Sequence, residues 1–396
     1  MNIAIFLIGS NPLPNYVVLK YLLLENRENK NELPVPDKIA FLHSSDTKEY
    51  AVKIKNKLGI NGITELINLG SEHRKSETII NEIRHCLNSL NKELIESIHL
   101  NYTGGTKSMA VHAYQAIKEF KNISKIIFSD IDPDNYKLLT NLDNPWHPSN
   151  GDLRDVITVS IEEILDLHDI KIKGQLTDNL EINNLDISKF SQIALDNIKD
   201  APKDDWRSSL QKIKSDKKEI DKINQVFNPV INFDDYINNY LELARFIEFS
   251  EGKWLEDYVL YILKELRKEL KITDLSKSVE VYSNDRRAEI DLIAMKGYQM
   301  HIISCTTSQK IKPVKGKAFE VLYRAEQLGG DHAQVILVTL MKEKPKDKND
   351  EHNLKKLSDD LLSFDAKYNK KIKLIGIEDL KDDIKIRNIF RNILTN

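Results

Sequence analysis

Cysteine is nearly absent: the chain of 396 residues holds two, Cys86 and Cys305. Two thiols so far apart exclude a disulfide framework and a four-ligand cysteine zinc site, and they fit a reducing cytoplasm. Charge of one sign is lacking too. Lys plus Arg number 58 against 61 for Asp plus Glu, a formal net charge of −3. No global basic field draws nucleic acid, so any polyanion site has to be local. Long apolar runs are also missing. The stretch Ile3–Ile8 is too short to span a bilayer, has no basic leader and continues into a proline-containing loop, so it reads as a buried first strand. Charged residues make up 30% of the chain, which predicts a soluble, cytoplasmic protein with no membrane contact. No repeat period is visible. At this length two domains fit best.

The most informative stretch is 97–110, Ser-Ile-His-Leu-Asn-Tyr-Thr-Gly-Gly-Thr-Lys-Ser-Met-Ala, where a strand pattern meets paired glycines and a helix start. Gly104 and Gly105 remove the Cβ atoms that would block close approach. Thr106, Lys107 and Ser108 bring a hydroxyl, a cation and free helix N-terminal amides to one point, the chemistry of a phosphate cradle. The Walker A pattern needs Gly directly before Lys-Ser/Thr, and Thr106 stands there, which argues against an ATP-hydrolysing loop. An ordinary turn with a solvated Lys107 is the competing reading of this segment.

Around it, from residue 1 to about 143, strand-like runs alternate with helical patterns, the signature of a parallel sheet with crossover helices. The strands are expected at Ile3–Gly9, Lys38–His43, Glu65–Leu69, Ser97–Tyr102 and Lys125–Phe128, with helices at Asn15–Leu24, Thr47–Leu58, Glu72–Leu90 and Lys107–Phe120. Ligands of such sheets sit outside the strand carboxyl ends. Ser10 and Asn11, then Ser44 to Thr47, then Thr103 to Lys107 form a polar rim there, although each alone also reads as a turn or cap.

A loop with Asn144, Pro145, Pro148 and Gly151 ends this unit. The stretch Gly174 to Pro229, rich in Asn, Asp and Lys, reads as a helical connector, with Asp204-Asp205 before a helix Trp206–Lys214; the charge run Lys214–Lys222 reads as a solvated face. From about Tyr236 a long helix, broken or continuous near Glu251-Gly252, carries Trp254, Leu255, Tyr258, Val259, Ile262 and Leu263 on its apolar side. Strands follow at Ser278–Tyr282, Ala288–Met295 and Gln299–Cys305. Then come a helix Lys317–Leu328 ending at Gly329-Gly330 as a left-handed cap, and a strand Ala333–Leu340. That element order is the order of a metal-dependent nuclease core.

Glu289 and Asp291 lie two apart on one expected strand and so share a sheet face, which suits a divalent oxygen-liking cation, Mg²⁺ or Mn²⁺. Glu256, on the preceding helix, is a further carboxylate. Where the metal-nuclease pattern calls for an acid, any residue and then lysine, the chain has Ser304, Cys305 and Thr306. Lys310, Lys312, Lys315 and Lys317, in the segment leading onto the next helix, could supply the missing ammonium; Lys317 is favoured, then Lys310. A solvated Asp–Glu pair, or a nuclease fold kept for binding alone, are the rival readings.

With both halves in view, the chain resembles the CRISPR-associated effector nucleases that join an N-terminal CRISPR-associated Rossmann fold (CARF) sensor to a C-terminal restriction-endonuclease-like domain. The resemblance rests on Asn101-Tyr102-Thr103-Gly104-Gly105-Thr106-Lys107, Gly252-Lys253-Trp254-Leu255-Glu256, Ala288-Glu289-Ile290-Asp291, and Lys317-Ala318-Phe319-Glu320-Val321-Leu322 through Leu328-Gly329-Gly330. It implies an α/β fold throughout: a Rossmann-like CARF domain at 1–150, a mostly helical connector at 151–245 and the nuclease domain at 246–396. It also implies a homodimer that binds cyclic oligoadenylate, most often cyclic tetra-adenylate, and is thereby switched to metal-dependent cleavage of DNA, RNA or both in type III CRISPR antiviral defence. Carried over by position, Ser10, Asn11, Ser44, Thr103, Gly104, Gly105, Thr106 and Lys107 would hold the ligand. Glu256, Glu289 and Asp291 would hold metal, with Ser304, Lys310 and Lys317 in the catalytic set. The alternative is a ligand-gated nucleic-acid-binding regulator without turnover. A weaker idea makes the sensor degrade its own ligand.

Overall fold

The computed structural model describes residues 1–24, 32–120, 123–142, 147–148, 151–182, 185–199, 206–210, 212, 217–228, 230, 240–283, 286–345, 352–364 and 371–395. The loop residues Asn144 and Pro145, the pair Asp204-Asp205, Lys214 and Tyr236 lie outside the described residues. The chain divides into two compact units, Met1–Ile170 and Lys171–Asn396.

In the first unit, strands β1 (Asn2–Ile8), β2 (Lys38–His43), β3 (Thr64–Asn68), β4 (Ser97–Asn101), β5 (Lys125–Asp132), β6 (Lys137–Thr140) and β7 (His147–Pro148) form one sheet among the described residues, in the order β3-β2-β1-β4-β5-β6-β7. The pairings from β3 to β5 are parallel. Residues of β1 are apolar and buried on both faces, as a central parallel strand covered by helices must be. Ile3, Ile5 and Leu7 pack with Ile79 and Ile83 of the helix Ser76–Asn88 and with Met109 and Ala113 of the helix Lys107–Lys118. Phe6 meets Phe41 edge-on, with ring centroids 6.0 Å apart. Strand order reverses between β1 and β4, so the crevice at their carboxyl ends is the switch point of the sheet.

The fifth strand continues to Asp132 instead of stopping at Phe128, because Asp132 Oδ1 accepts hydrogen bonds from the amides of Asp134 and Asn135 and turns the chain back into antiparallel β6. Pro133 stands inside this turn, and together with the Asp132 side chain it closes a hairpin that a strand ending at Phe128 leaves out.

The second unit holds β8 (Lys171–Lys173), β9 (Ile272–Ser283), β10 (Arg286–Lys296), β11 (Gln299–Thr306), β12 (Gln334–Thr339) and β13 (Ile372–Ile375), in the order β13-β12-β11-β10-β9-β8. The pairings of β8 through β11 are antiparallel, and those of β11 through β13 parallel. The crossover from β11 to β12 is the helix Ile311–Gly329. It begins well before the expected Lys317. Pro313 sits within its first turn, where no intrahelical N–H is required, so the proline is no barrier to starting there. Lys317 thereby falls in the second turn instead of at the helix tip. At its other end Gly330 has φ 63° and ψ −147°, a positive φ without the left-handed helical ψ that was expected of the cap.

The helix Trp206–Leu210 and the helix Lys217–Phe227 belong to this second unit, as does Ile187–Asp196. Apolar side chains explain why. Phe190 is fully buried, stacked on Phe227 at 4.6 Å and tilted against Phe249 at 5.3 Å, beside Trp254 at 6.3 Å. The aromatic knot joins these helices to the core of the β9–β13 sheet. Phe190→Ala is expected to cost roughly 3–5 kcal/mol in urea denaturation; a loss below about 1 kcal/mol would mean that this segment is a detachable linker.

Candidate active site and ligand cleft

At the switch point of the first sheet, the paired glycines are demanded by the backbone. A Cβ on Gly104 would lie 2.3 Å from Leu7 O and 2.4 Å from Asn15 Nδ2, and Gly105 has φ +76°. The loop after β4 therefore lies directly on the end of β1, and Asn15 Nδ2 donates to Leu7 O at 2.8 Å beneath it. The amides opening the helix Lys107–Lys118 are brought to the same crevice.

The polar side chains of the rim divide into two groups. Some are tied into the fold. Thr106 Oγ1 caps its helix by accepting from Met109 N at 3.2 Å, and Thr103 Oγ1 accepts from Asn101 Nδ2 and from Ile131 N. Ser44 is buried with its hydroxyl 3.2 Å from that of Thr47, and Asn11 Oδ1 accepts from Leu13 N and faces His168 Nε2 at 3.3 Å. Ser10 and Lys107 are exposed. Their side chains and the helix amides are the groups left facing outward.

In the second unit, β10 and β11 pair so that Leu292 lies opposite Ile303, which sets Asp291 beside Ser304. Asp291 Oδ2 accepts three hydrogen bonds: from Ser304 Oγ at 3.0 Å, from Cys305 N at 2.6 Å and from Lys317 Nζ at 2.9 Å. Lys317 Nζ also donates to Cys305 O at 2.6 Å. The ammonium therefore reaches the carboxylate from the second turn of the crossover helix and not from position 306. Thr306 Oγ1 accepts from Ser308 N. Lys310, at the N-cap of the same helix, is exposed and is not brought to Asp291. Glu289 is exposed on the same sheet face as Asp291, and both line a cleft with Ser304, Lys317, Glu320 and Arg324.

Glu256 comes from the helix Trp254–Leu266, which follows a π-helical turn, Phe249–Lys253, at the place where the sequence pattern is ambiguous. Thr307 Oγ1 donates to Glu251 O at 3.0 Å and ties this wide turn to the end of β11. Burial, and then the charge of Asp291, push the Glu256 carboxyl up to about 8. For Lys317 burial acts downward, but the charge and hydrogen bond of Asp291 outweigh it and leave the ammonium above its ordinary value. Burial holds the Cys305 thiol protonated, which removes it as a nucleophile.

A second ion pair lies beneath. Lys277 Nζ meets Asp257 Oδ1 at 2.5 Å with both side chains buried, and Asp257 Oδ2 accepts from Glu181 N at 2.7 Å. Lys277 also draws the Glu256 carboxyl down against the stronger upward push. Sequence reasoning missed this pair: Asp257 is hidden as the neighbour of Glu256, and Lys277 looks like a solvated charge on a strand.

Among the described residues, no group of three or more His, Cys, Asp or Glu side chains is gathered as it would be around a metal. The donor set nevertheless fits a hard divalent cation. Three donors converge on Asp291 Oδ2 and leave Oδ1 to a ligand, Glu289 is open, and the mutual repulsion that raises Glu256 is what a bound cation would relieve.

The Card1 CARF domain family matches residues 3–161, and the Card1-like endonuclease domain family matches residues 243–367. Protein VC1899 from Vibrio cholerae has a similar fold, with a TM-score of 0.69 at 17% identity over 100% of this chain and 98% of that one. So does Can2 from Sulfobacillus thermosulfidooxidans, solved in complex with cyclic tetra-adenylate, with a TM-score of 0.63 at 14% identity over 98% of this chain and 99% of that one. No curated protein sequence matches the chain. Among the described residues no helix is long and apolar enough to cross a membrane. Both domain families fall in this order along one chain and together take up more than two thirds of it, so the chain belongs to the CRISPR-associated effector nucleases that join a CARF domain to a restriction-endonuclease-like domain.

Proposed function

We propose that this chain is a cytoplasmic, homodimeric nuclease of type III CRISPR defence, switched on by cyclic oligoadenylate, with cyclic tetra-adenylate the foremost candidate, and dependent on Mg²⁺ or Mn²⁺. The observation that carries the proposal is the Lys317 ammonium held 2.9 Å from Asp291 Oδ2 beside an elevated Glu256. It restores, from a helix, the cation that Thr306 fails to supply. A ligand with two-fold symmetry presents the same phosphates to two copies of one loop, which favours an isologous dimer around the 104–107 turn.

When bound between Asp291, Glu289 and Glu256, the divalent cation supplies Lewis acidity and a water of lowered pKa. The chain supplies the rest. Ser304 and the Cys305 amide fix the rotamer of Asp291, and the Cys305 carbonyl fixes Lys317. The fixed ammonium faces the charge that develops on a pentacovalent phosphate, where a preorganised cation does most for the rate. Both DNA and RNA carry the phosphodiester that this apparatus would cut.

The direct test is cleavage of labelled single- and double-stranded DNA and RNA with Mn²⁺, with and without cyclic tetra-adenylate. Ligand-dependent cutting is expected from the wild type, and Asp291→Asn and Lys317→Met are each expected to lower kcat by about a hundredfold or more. Tight ligand-gated binding with no cutting of any substrate would instead favour the regulator without turnover. On the sensor side, Lys107→Ala should weaken cyclic tetra-adenylate binding in calorimetry by about tenfold or more, the worth of a charge-assisted contact. Unchanged affinity would remove Lys107 from the ligand set.

The raised Glu256 carboxyl makes a further prediction for the chelated protein. Its ordinary value is 4.5 and its folded value about 8, so the folded state holds a proton that the unfolded state releases in between. The stabilisation is complete below pH 4.5 and is lost as pH rises through 8. Melting temperatures in EDTA should therefore fall over that interval, and Glu256→Gln should flatten the fall. Parallel wild-type and variant curves would contradict the burial of this group beside Asp291.

A further inference from the structure

Resting on the nuclease reading, we infer that Arg324 is a phosphate-binding residue of the cleft, gripping the sugar–phosphate backbone of the nucleic acid beside the scissile bond. Arg324 stands seven residues after Lys317 on the same helix, two turns along and on the same face, about 10 Å away along the axis. Both line the cleft with Glu289, Asp291 and Glu320. The wall thus carries three carboxylates against two cations. Lys317 is committed to Asp291 and to the Cys305 carbonyl, so it cannot also draw the backbone in.

Arg324 is held differently. Its side chain is 26% exposed, its Nε is buried without a partner among the described residues, and its nearest carboxylate, Glu320 Oε1, stands 3.6 Å from its terminal nitrogen, beyond hydrogen-bond reach. Glu320 is itself 61% exposed. A guanidinium whose terminal nitrogen has only a loose, solvated counter-charge can turn its outward N–H donors to phosphate oxygens. Glu320 is the placeholder that a phosphate would displace. Its charge also sets a cost on binding that the correct polyanion must overcome.

The test is fluorescence anisotropy of a fluorescein-labelled single-stranded DNA with the full-length chain, cyclic tetra-adenylate and Mn²⁺, alongside cleavage kinetics. Arg324→Ala should weaken DNA affinity by about tenfold, raise KM more than it lowers kcat, and make the slope of log affinity against log salt shallower by roughly 0.7, the loss of one phosphate contact. Arg324→Lys should recover affinity in part, because an ammonium keeps the charge without the fork. Arg324→Gln, which keeps the stem that packs along the helix, should behave like Ala. Glu320→Gln should tighten binding. Equal affinity and equal salt slope for wild type and Arg324→Gln would overturn the inference, as would a wild type that binds no DNA. A wild type that binds DNA with this Arg324 dependence but cuts nothing would overturn the nuclease reading and leave the phosphate contact standing.

Discussion

The contact on which the second unit turns is the one between the Lys317 ammonium and Asp291 Oδ2. It joins the crossover helix to the central hairpin at the point where β10 and β11 present their polar ends. The Asp291 carboxylate is mostly buried in that cleft, where a polar group without hydrogen-bond partners is costly. Three donors on one oxygen offset that cost, and two of them, Ser304 Oγ and the Cys305 amide, come from the strand on which the nuclease pattern places its acid and lysine. The strand has kept the task of orienting the carboxylate and handed the cation to the helix.

That transfer constrains the local sequence. For Lys317 to reach back to the strand, the helix has to begin at Ile311, so Pro313 and Gly316 must be accommodated inside its first turns. The same logic explains the buried Lys277–Asp257 pair. The helix Trp254–Leu266 carries two adjacent acids; the inner one, Asp257, is paired with a lysine from β9 although burial still raises it, and the outer one, Glu256, is raised by burial and by the charge of Asp291. Removing either partner of a buried pair strands a charge at a cost of several kcal/mol, so the inner pair keeps the outer carboxylate in place.

Much of this was legible before any coordinates. β1 to β4 and their helices follow from apolar periodicity, and the glycine pair from its position between a strand and a helix start; Gly104 faces Leu7 O at a distance no side chain tolerates. Lys317 was legible because an ammonium was missing at Thr306 and the next helix was rich in lysine. Other features were not. The role of Thr106 as a helix cap looks identical in sequence to a ligand hydroxyl, since both use a Thr before a Lys at a helix start. The reach of Lys310 depends on where the helix begins, and the proline disguised that. The Asp257–Lys277 pair links residues 20 apart through tertiary packing alone, which no local pattern encodes.

The two proposed binding places would both meet phosphodiesters, yet their chemistry is opposed. Around the 104–107 turn the oxygen atoms of Thr103, Thr106 and Ser44 are consumed by internal hydrogen bonds, and what remains outward is backbone N–H, the Ser10 hydroxyl and the Lys107 ammonium. Amide dipoles hold an anion without lowering the pKa of a water or offering it a base. Around Asp291 the outward groups are carboxylates, with one fixed ammonium and the Arg324 guanidinium farther along the wall, an arrangement in which acids outnumber cations until a metal intervenes. Under the proposed function, the first site would retain a polyanion and the second would react with one only with metal present. A chain that reads one phosphodiester and cuts another, as proposed, would be served by that division of donors from carboxylates.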